Sequence, residues 1–229
     1  MFSNFKSLNE IFYNNSINFG DKKLVYFRDD ENKEKAYSYK DIMYYSMDLS
    51  KKLINYNLKT GDKVIISLDT GVNFIISFFG VLFSGAIPIP IPPVNSSKKD
   101  TINRMKHILL DSNAKYVIVH KKIEDKCYKQ MQGMIEKLNM QRIIVNLYYT
   151  RLGLDKNIEY YTLKSEDVCF IQYTSGSSGL PKGVPIKQKN LFHNVDTISR
   201  AIDIKEKDFA VSWLPLYHDM GLAFIKSLR

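Results

Sequence analysis

Between Thr70 and Ser97 the chain carries no charged residue, and Phe74 to Ile87 is strongly apolar. A stretch of this kind has to be buried, in protein or in lipid. A membrane-spanning helix needs about 20 apolar residues in helical conformation. Here Pro88, Pro90, Pro92 and Pro93 stop any helix after roughly three or four turns. A buried helix running into a buried strand accounts for both facts, so no membrane span is expected.

The flanking sequence repeats this alternation. Leu24–Arg28 and Lys35–Ser38 bracket the polar turn Asp29-Asp30-Glu31-Asn32 and read as a hairpin. Ser38-Tyr39-Lys40-Asp41 resembles a capping box, after which Ile42, Tyr45, Leu49 and Leu53 share one helical face. Val64–Leu68 reads as a strand, Asn73–Ser84 as the buried helix and Ala86–Ile91 as the strand after it. A helix with Ile102, Met105 and Leu109 inward leads to a strand at Tyr116–Val119; Glu124–Leu138 has helical spacing and Arg142–Val145 is strand-like. Strands alternating with amphipathic helices predict an α/β fold of right-handed βαβ units, with mostly parallel sheets covered on both faces. Tyr148–Lys164 lacks a clean period and carries the chain to a second layer. Val168–Tyr173 is then a continuous apolar strand, Val184–Ile186 a returning one, and Leu191, Val195, Ile198 and Ile202 define a helix before a strand at Phe209–Trp213. This divides the chain into a first α/β lobe over 1–147 and a second segment over 165–229.

The second segment opens on Thr174-Ser175-Gly176-Ser177-Ser178-Gly179-Leu180-Pro181-Lys182-Gly183. Gly176, Gly179 and Gly183 permit positive φ and close backbone approach. Thr174, Ser175, Ser177 and Ser178 add hydroxyl donors beside backbone N–H groups, which in successive turns form an anion-binding concavity. Lys182 adds a point charge, and Pro181 stiffens the approach to it. A strand end followed by this composition predicts a phosphate cradle; a flexible Ser/Gly linker would rarely follow a buried strand and end in Pro-Lys-Gly. The spacing excludes a Walker A loop, in which Gly-Lys-Ser/Thr opens a helix, and Gly176-Ser177-Ser178-Gly179 lacks the Gly-x-Ser-x-Gly spacing of a hydrolase elbow.

Composition narrows the partners. Hydrophobic residues make up 45% and charged residues 25% of 229, as in ordinary globular domains, and fifteen Tyr and thirteen Phe argue against disorder. The formal charge is +9, but 27 of the 33 basic residues are Lys, scattered rather than gathered into an Arg-rich stripe. No nucleic-acid partner is expected. Cys127 and Cys169 form neither a CxxC nor a metal pair, and no metal site is expected from them. Two unpatterned thiols and an N-terminus without signal-peptide order suggest a cytoplasmic protein.

The ten-residue loop resembles the phosphate loop of the adenylate-forming superfamily: acyl-CoA synthetases, peptide-synthetase adenylation domains and luciferases. Downstream, Ser212-Trp213-Leu214-Pro215-Leu216-Tyr217-His218-Asp219-Met220-Gly221-Leu222 resembles the acyl-pocket motif of that superfamily, in a spelling most similar to fatty acyl-AMP ligases. Gly85 to Pro93 resembles a strand-and-proline segment of the same ligases. The resemblance implies activation of a fatty acid by Mg-ATP (ATP with Mg2+) to acyl-AMP, with release of pyrophosphate and transfer to an acyl carrier protein or a polyketide or peptide synthase module. It implies that Thr174, Ser175, Gly176, Ser177, Ser178, Gly179, Lys182 and Gly183 hold the phosphates. Lys182 and His218 would act in catalysis, and Trp213, Tyr217, His218, Asp219 and Gly221 would line the acyl pocket. Apart from the resemblance, His218 also fits a capped surface histidine at a helix start, with Asp219 in the first turn; Trp213 reads as core. His107, His120 and His193 lack such context and read as structural or solvated.

Members of the superfamily continue well past this length, through adenine- and ribose-contacting segments to a small C-terminal domain. The expectation is therefore an N-terminal portion, inactive alone: a fragment, a truncated product, or one piece of an enzyme completed by a partner chain. An acyl-CoA synthetase and a non-catalytic remnant remain as alternatives.

Overall fold

The computed structural model describes residues 7–28, 33–93, 99–120, 133, 135–137, 141–145, 159–174, 179–205 and 208–226. The first elements are α1 (Leu8–Asn18), β1 (Lys23–Arg28), β2 (Glu34–Ser38), α2 (Tyr39–Asn55), β3 (Lys63–Ser67), α3 (Val72–Phe83) and β4 (Ile87–Ile91). They are followed by α4 (Lys99–Ser112), β5 (Tyr116–His120), β6 (Gln141–Val145), β7 (Val168–Thr174), β8 (Lys182–Lys187), α5 (Gln188–Ala201) and α6 (Asp219–Lys226).

The uncharged segment becomes α3 and β4, as its prolines require. Phe74–Phe83 is buried along its whole length. Gly80 lets α2 approach α3: a Cβ there would stand 3.0 Å from Leu49 Cδ2 and from the Ser46 carbonyl. The capping box forms at the start of α2. Ser38 Oγ accepts the Asp41 N–H at 3.1 Å, and Asp41 Oδ2 accepts the Ser38 N–H at 2.9 Å. Ile42, Leu49 and Leu53 are buried and Tyr45 is half-buried on the expected face.

β3, β4, β5 and β6 form one parallel sheet in the order β4-β3-β5-β6. Strand alternation divides its side chains between two clusters. Val64, Ile66 and Ile118 face the larger one, with α2 and α3; Ile65, Ile89 and Val117 face the smaller one, with Met105, Ile108 and Leu109 of α4. Both faces are covered. β4 closes one edge, and its prolines explain how. The Ile87 N–H donates to the Asp62 carbonyl on the β3 side at 2.8 Å. Peptide groups alternate along a strand, so positions 88 and 90 face away from β3, where proline offers no N–H. β7 lies alongside that edge without joining it in a ladder.

The crossing to the second segment is stitched to the first. The Tyr161 N–H donates to the Phe83 carbonyl at 2.9 Å, and Asn9 Nδ2 donates to the Tyr161 carbonyl at 2.6 Å. Cys169, Phe170, Leu191, Val195, Leu216 and Leu222 belong to the same large cluster as α1, α2 and α3.

The parallel strands are those of the four-stranded sheet, and β1 with β2 and β7 with β8 form antiparallel ribbons, the expected hairpin and returning strand. Three expectations are corrected. On α5, Leu191 and Val195 are buried, but Ile198 and Ile202 are exposed, and Gln188 and Ser199 complete the inward stripe. Gln188 sets that rotation: its Oε1 accepts the Leu8 N–H at 3.0 Å and its Nε2 donates to the Leu163 carbonyl at 3.1 Å. Phe209–Trp213 forms no ladder with any described strand and is not a strand. Trp213 is accordingly not a core residue: Phe209, Val211 and Trp213 are each 88% exposed. The helical spacing over Glu124–Leu138 lies outside the described residues except at 133 and 135–137, which are helical.

Candidate phosphate hairpin and adjoining turn

β7 reaches the surface from between the two clusters. Phe170 packs into the larger cluster beside Phe78, while Ile171 and Tyr173 face the smaller one. The antiparallel register then sets Tyr173 opposite Gly183 and Thr174 opposite Lys182. The Ser/Gly run is thus the connection of a hairpin whose last ladder pair is Thr174 and Lys182. Of the residues expected to hold phosphate, Thr174, Gly179, Lys182 and Gly183 are described; Ser175, Gly176, Ser177 and Ser178 lie outside the described residues.

The glycines act differently from one another. Gly179 has φ +81°, a conformation that disfavours a Cβ, and a Cβ there would meet nothing within 4 Å. Gly183 does not use positive φ. It makes room for a neighbour, since a Cβ would stand 3.0 Å from Cζ of the Tyr173 ring. Lys182 is exposed and enters no ion pair among the described residues, so its charge faces solvent at the hairpin's mouth.

Two contacts from α4 hold the hairpin. Tyr173 Oη donates to Asp111 Oδ2 at 2.6 Å, and His107 Nε2 lies 2.9 Å from the Pro181 carbonyl. A carbonyl only accepts, so Nε2 carries the proton. Burial, and then the Asp111 carboxylate, push the Tyr173 hydroxyl well above its ordinary value and keep it a donor.

The downstream motif meets β7 from the other side. Gln172 Nε2 donates to the Tyr217 carbonyl at 3.3 Å, and the Leu216 N–H donates to Thr70 Oγ1 at 3.1 Å, just before α3. His218 stands at the start of α6: its N–H donates to the Pro215 carbonyl at 3.0 Å and its carbonyl accepts the Leu222 N–H at 2.8 Å. Its imidazole is exposed and pairs with Asp219 through Nδ1. Gly221 is fixed by packing, because a Cβ there would fall 1.9 Å from the Pro215 carbonyl oxygen. Tyr217 is half-buried against the large cluster, whereas Trp213 and Asp219 face solvent.

The structure therefore ties the Tyr217–His218 turn to the strand that ends at Thr174. Thr174 and the exposed Lys182, which enters no ion pair among the described residues, suit an anion rather than a metal ion. Among the described residues no trio of His, Cys, Asp or Glu stands together, and no helix is long and apolar enough to cross a membrane. Sequence reasoning missed Gln172, Asp111 and Tyr173 and assigned His107 no place at the hairpin. The one available signal was the four-residue spacing of His107 and Asp111, which sets them on one helical edge.

The profile of the AMP-binding enzymes matches residues 13–227. A medium-chain fatty acid–acyl-carrier-protein ligase of Moorena producens is 26% identical over 207 residues, 88% of this chain and 34% of its own length. A long-chain fatty acid–AMP ligase of Mycobacterium marinum is 28% identical over 87% of this chain and 32% of its own. The chain thus spans about a third of the length of these relatives. Among solved structures, a fatty acyl-adenylate ligase of Legionella pneumophila, in complex with acyl adenylate and pyrophosphate, superposes with TM-score 0.78 at 25% identity, covering 96% of this chain and 37% of that one.

Proposed function

The chain belongs to the AMP-binding enzyme family, and from that premise we propose that it supplies the phosphate grip and part of the acyl site of a fatty acyl-AMP ligase. A fatty acid carboxylate oxygen attacks the α-phosphorus of ATP, the bond to the β-phosphate breaks, and pyrophosphate leaves. The difficulty is charge, since an anion must approach a polyanion. Thr174, Ser175, Ser177 and Ser178 donate hydroxyls to the β- and γ-phosphates, Gly176 and Gly179 allow backbone approach, and Lys182 offsets charge as pyrophosphate departs. Mg2+ travels with the phosphates as their counter-ion. His218 orients the carboxylate, and Tyr217, Asp219, Gly221 and Trp213 belong to the acyl side. A carrier-protein thiol then attacks the acyl carbonyl, the bond to the AMP phosphate oxygen breaks, and AMP leaves.

The observation that carries this reading is the β7–β8 register. It closes a hairpin of hydroxyl-rich sequence at Thr174 and Lys182 and leaves the lysine exposed and without an ion pair among the described residues. The hydrogen bond from Gln172 to Tyr217 supports a shared site, since it fixes the His218 turn to the same strand.

Pyrophosphate titration of the purified chain is the direct test. Lys182→Ala should weaken binding ten- to a hundredfold, the range for loss of one charge-assisted contact of about 1.5–3 kcal/mol. Equal affinity in mutant and wild type would reduce Lys182 to a solvated loop charge. The fate of the acyl group is read in a protein joining this chain to the remaining length of its relatives, given ATP, Mg2+, labelled dodecanoate and coenzyme A. Acyl-AMP persisting beside unused coenzyme A supports the ligase; efficient acyl-CoA formation assigns the chain to the acyl-CoA synthetases.

A further inference from the structure

We infer that α4 is the positioning element of the phosphate hairpin, with His107 and Asp111 holding its two arms from a single helical edge. The inference rests on the reading of the hairpin as a phosphate site, but its geometry stands without it. Asp111 takes the arm that enters: Tyr173, its donor at 2.6 Å, immediately precedes Thr174. His107 takes the arm that returns: Pro181, whose carbonyl it binds at 2.9 Å, immediately precedes Lys182. Each tether therefore lies one residue before a member of the ladder pair that closes the hairpin.

The ribbon needs such support. β8 pairs only with β7 among the described residues, and two strands alone are marginally stable in water. α4 itself is rigidly seated, with Met105, Ile108 and Leu109 buried against the parallel sheet. Residues 107 and 111 are four apart, so their side chains project from the same edge of this seated helix. Tyr173 is doubly held: its ring lies against Gly183 on the returning strand while its hydroxyl reaches Asp111. Pro181 is buried and has no N–H, so its carbonyl is the group by which the backbone there can be gripped. Holding both arms fixes the separation of Thr174 and Lys182, the quantity that preorganised phosphate binding depends on.

Amide hydrogen exchange on the ligand-free chain tests the tethers directly. His107→Ala should speed exchange at the amides of Gly179, Leu180, Lys182 and Gly183 roughly tenfold, as expected for loss of one part-buried hydrogen bond. Amides of β3 and β5 should keep their protection. His107→Gln, which retains a donor, should restore the slow rates, and His107→Phe should not. Tyr173→Phe should speed exchange near Thr174 in the wild-type background but add nothing in Asp111→Ala. Unchanged exchange at 179–183 in His107→Ala, or full additivity of Tyr173→Phe with Asp111→Ala, would overturn the inference. Should His107→Ala lose global structure, the Gln and Phe variants carry the comparison. Pyrophosphate titration separates the two readings. If the wild-type chain shows the exchange pattern but binds no pyrophosphate, the tethers stand and the phosphate reading fails. If it binds and His107→Ala binds as tightly, α4 does not position the site.

Discussion

Gly221→Ala isolates the packing of the His218 turn. The new Cβ would be built 1.9 Å from the Pro215 carbonyl oxygen, whereas carbon and oxygen approach to about 3.3 Å in even the closest favourable contacts. The carbonyl must therefore withdraw by more than an ångström. That same oxygen accepts the His218 N–H at 3.0 Å, so withdrawal breaks the bond that closes the turn leading into α6. The lost bond costs about 1 kcal/mol and the overpacking about 1–3 kcal/mol. Alanine in the first turns of a helix returns up to about 1 kcal/mol of propensity. The net expectation is destabilisation by about 1–3 kcal/mol, a fall of roughly 0.5–1.5 M in the urea midpoint at a slope of about 2 kcal/mol/M. Gly179→Ala is the comparator: it has φ +81° and open space, so it should cost about 1–2 kcal/mol of backbone strain and no packing. Far-UV circular dichroism is the appropriate probe, since Trp213 is 88% exposed and would report little on the core. A Gly221→Ala chain with an unchanged or raised midpoint would refute the contact between Gly221 and Pro215.

Acid sensitivity should follow Asp62. Burial pushes its carboxyl up, but the Lys115 ammonium at 2.8 Å and the Lys59 N–H outweigh that and hold it below its ordinary value. A depressed folded value contributes stability above the unfolded value and loses it as pH falls through the folded one. Lys115→Met should therefore raise the pH at which the chain unfolds in acid, read by circular dichroism; an unchanged acid limb would show the pair to be inert. The single tryptophan gives a second check. Trp213 should emit as a solvated indole and be fully quenched by acrylamide in the native chain, and a blue-shifted, protected emission would show Phe209–Trp213 to be covered.

The first lobe was legible because its residues are constrained from all sides. An uncharged run broken by four prolines leaves few alternatives to α3 and β4, and Ser38 with Asp41 marks the start of α2 in the sequence itself. The hairpin was legible in part. Thr174, Lys182 and Gly179 behave as their residue types suggest, but Gly183 serves the Tyr173 ring, a contact across the ladder that composition cannot reveal. Ile198 and Ile202 mislead for a similar reason. Apolar spacing gave α5 its period, and Gln188, bonded to Leu8 and Leu163 more than twenty positions away in each case, set its rotation. Trp213 was misplaced because burial of a strand depends on a neighbour that its own sequence does not specify. His107 and Asp111 act on residues more than sixty positions away, a distance over which local pattern is silent.

The prolines of β4 also set how motion passes through the molecule. A hydrogen-bonded ladder locks two strands in register, whereas side chains packed across a seam resist separation but tolerate small slippage. β4 and β7 meet in the second way, so among the described residues no ladder holds the ribbon bearing Lys182 in register with the parallel sheet. A fraction of an ångström of travel at the hairpin need not disturb β3 or β5. The sheet acts as a fixed bed and the seam as an expansion joint, which leaves α4 as the part that decides where the ribbon comes to rest.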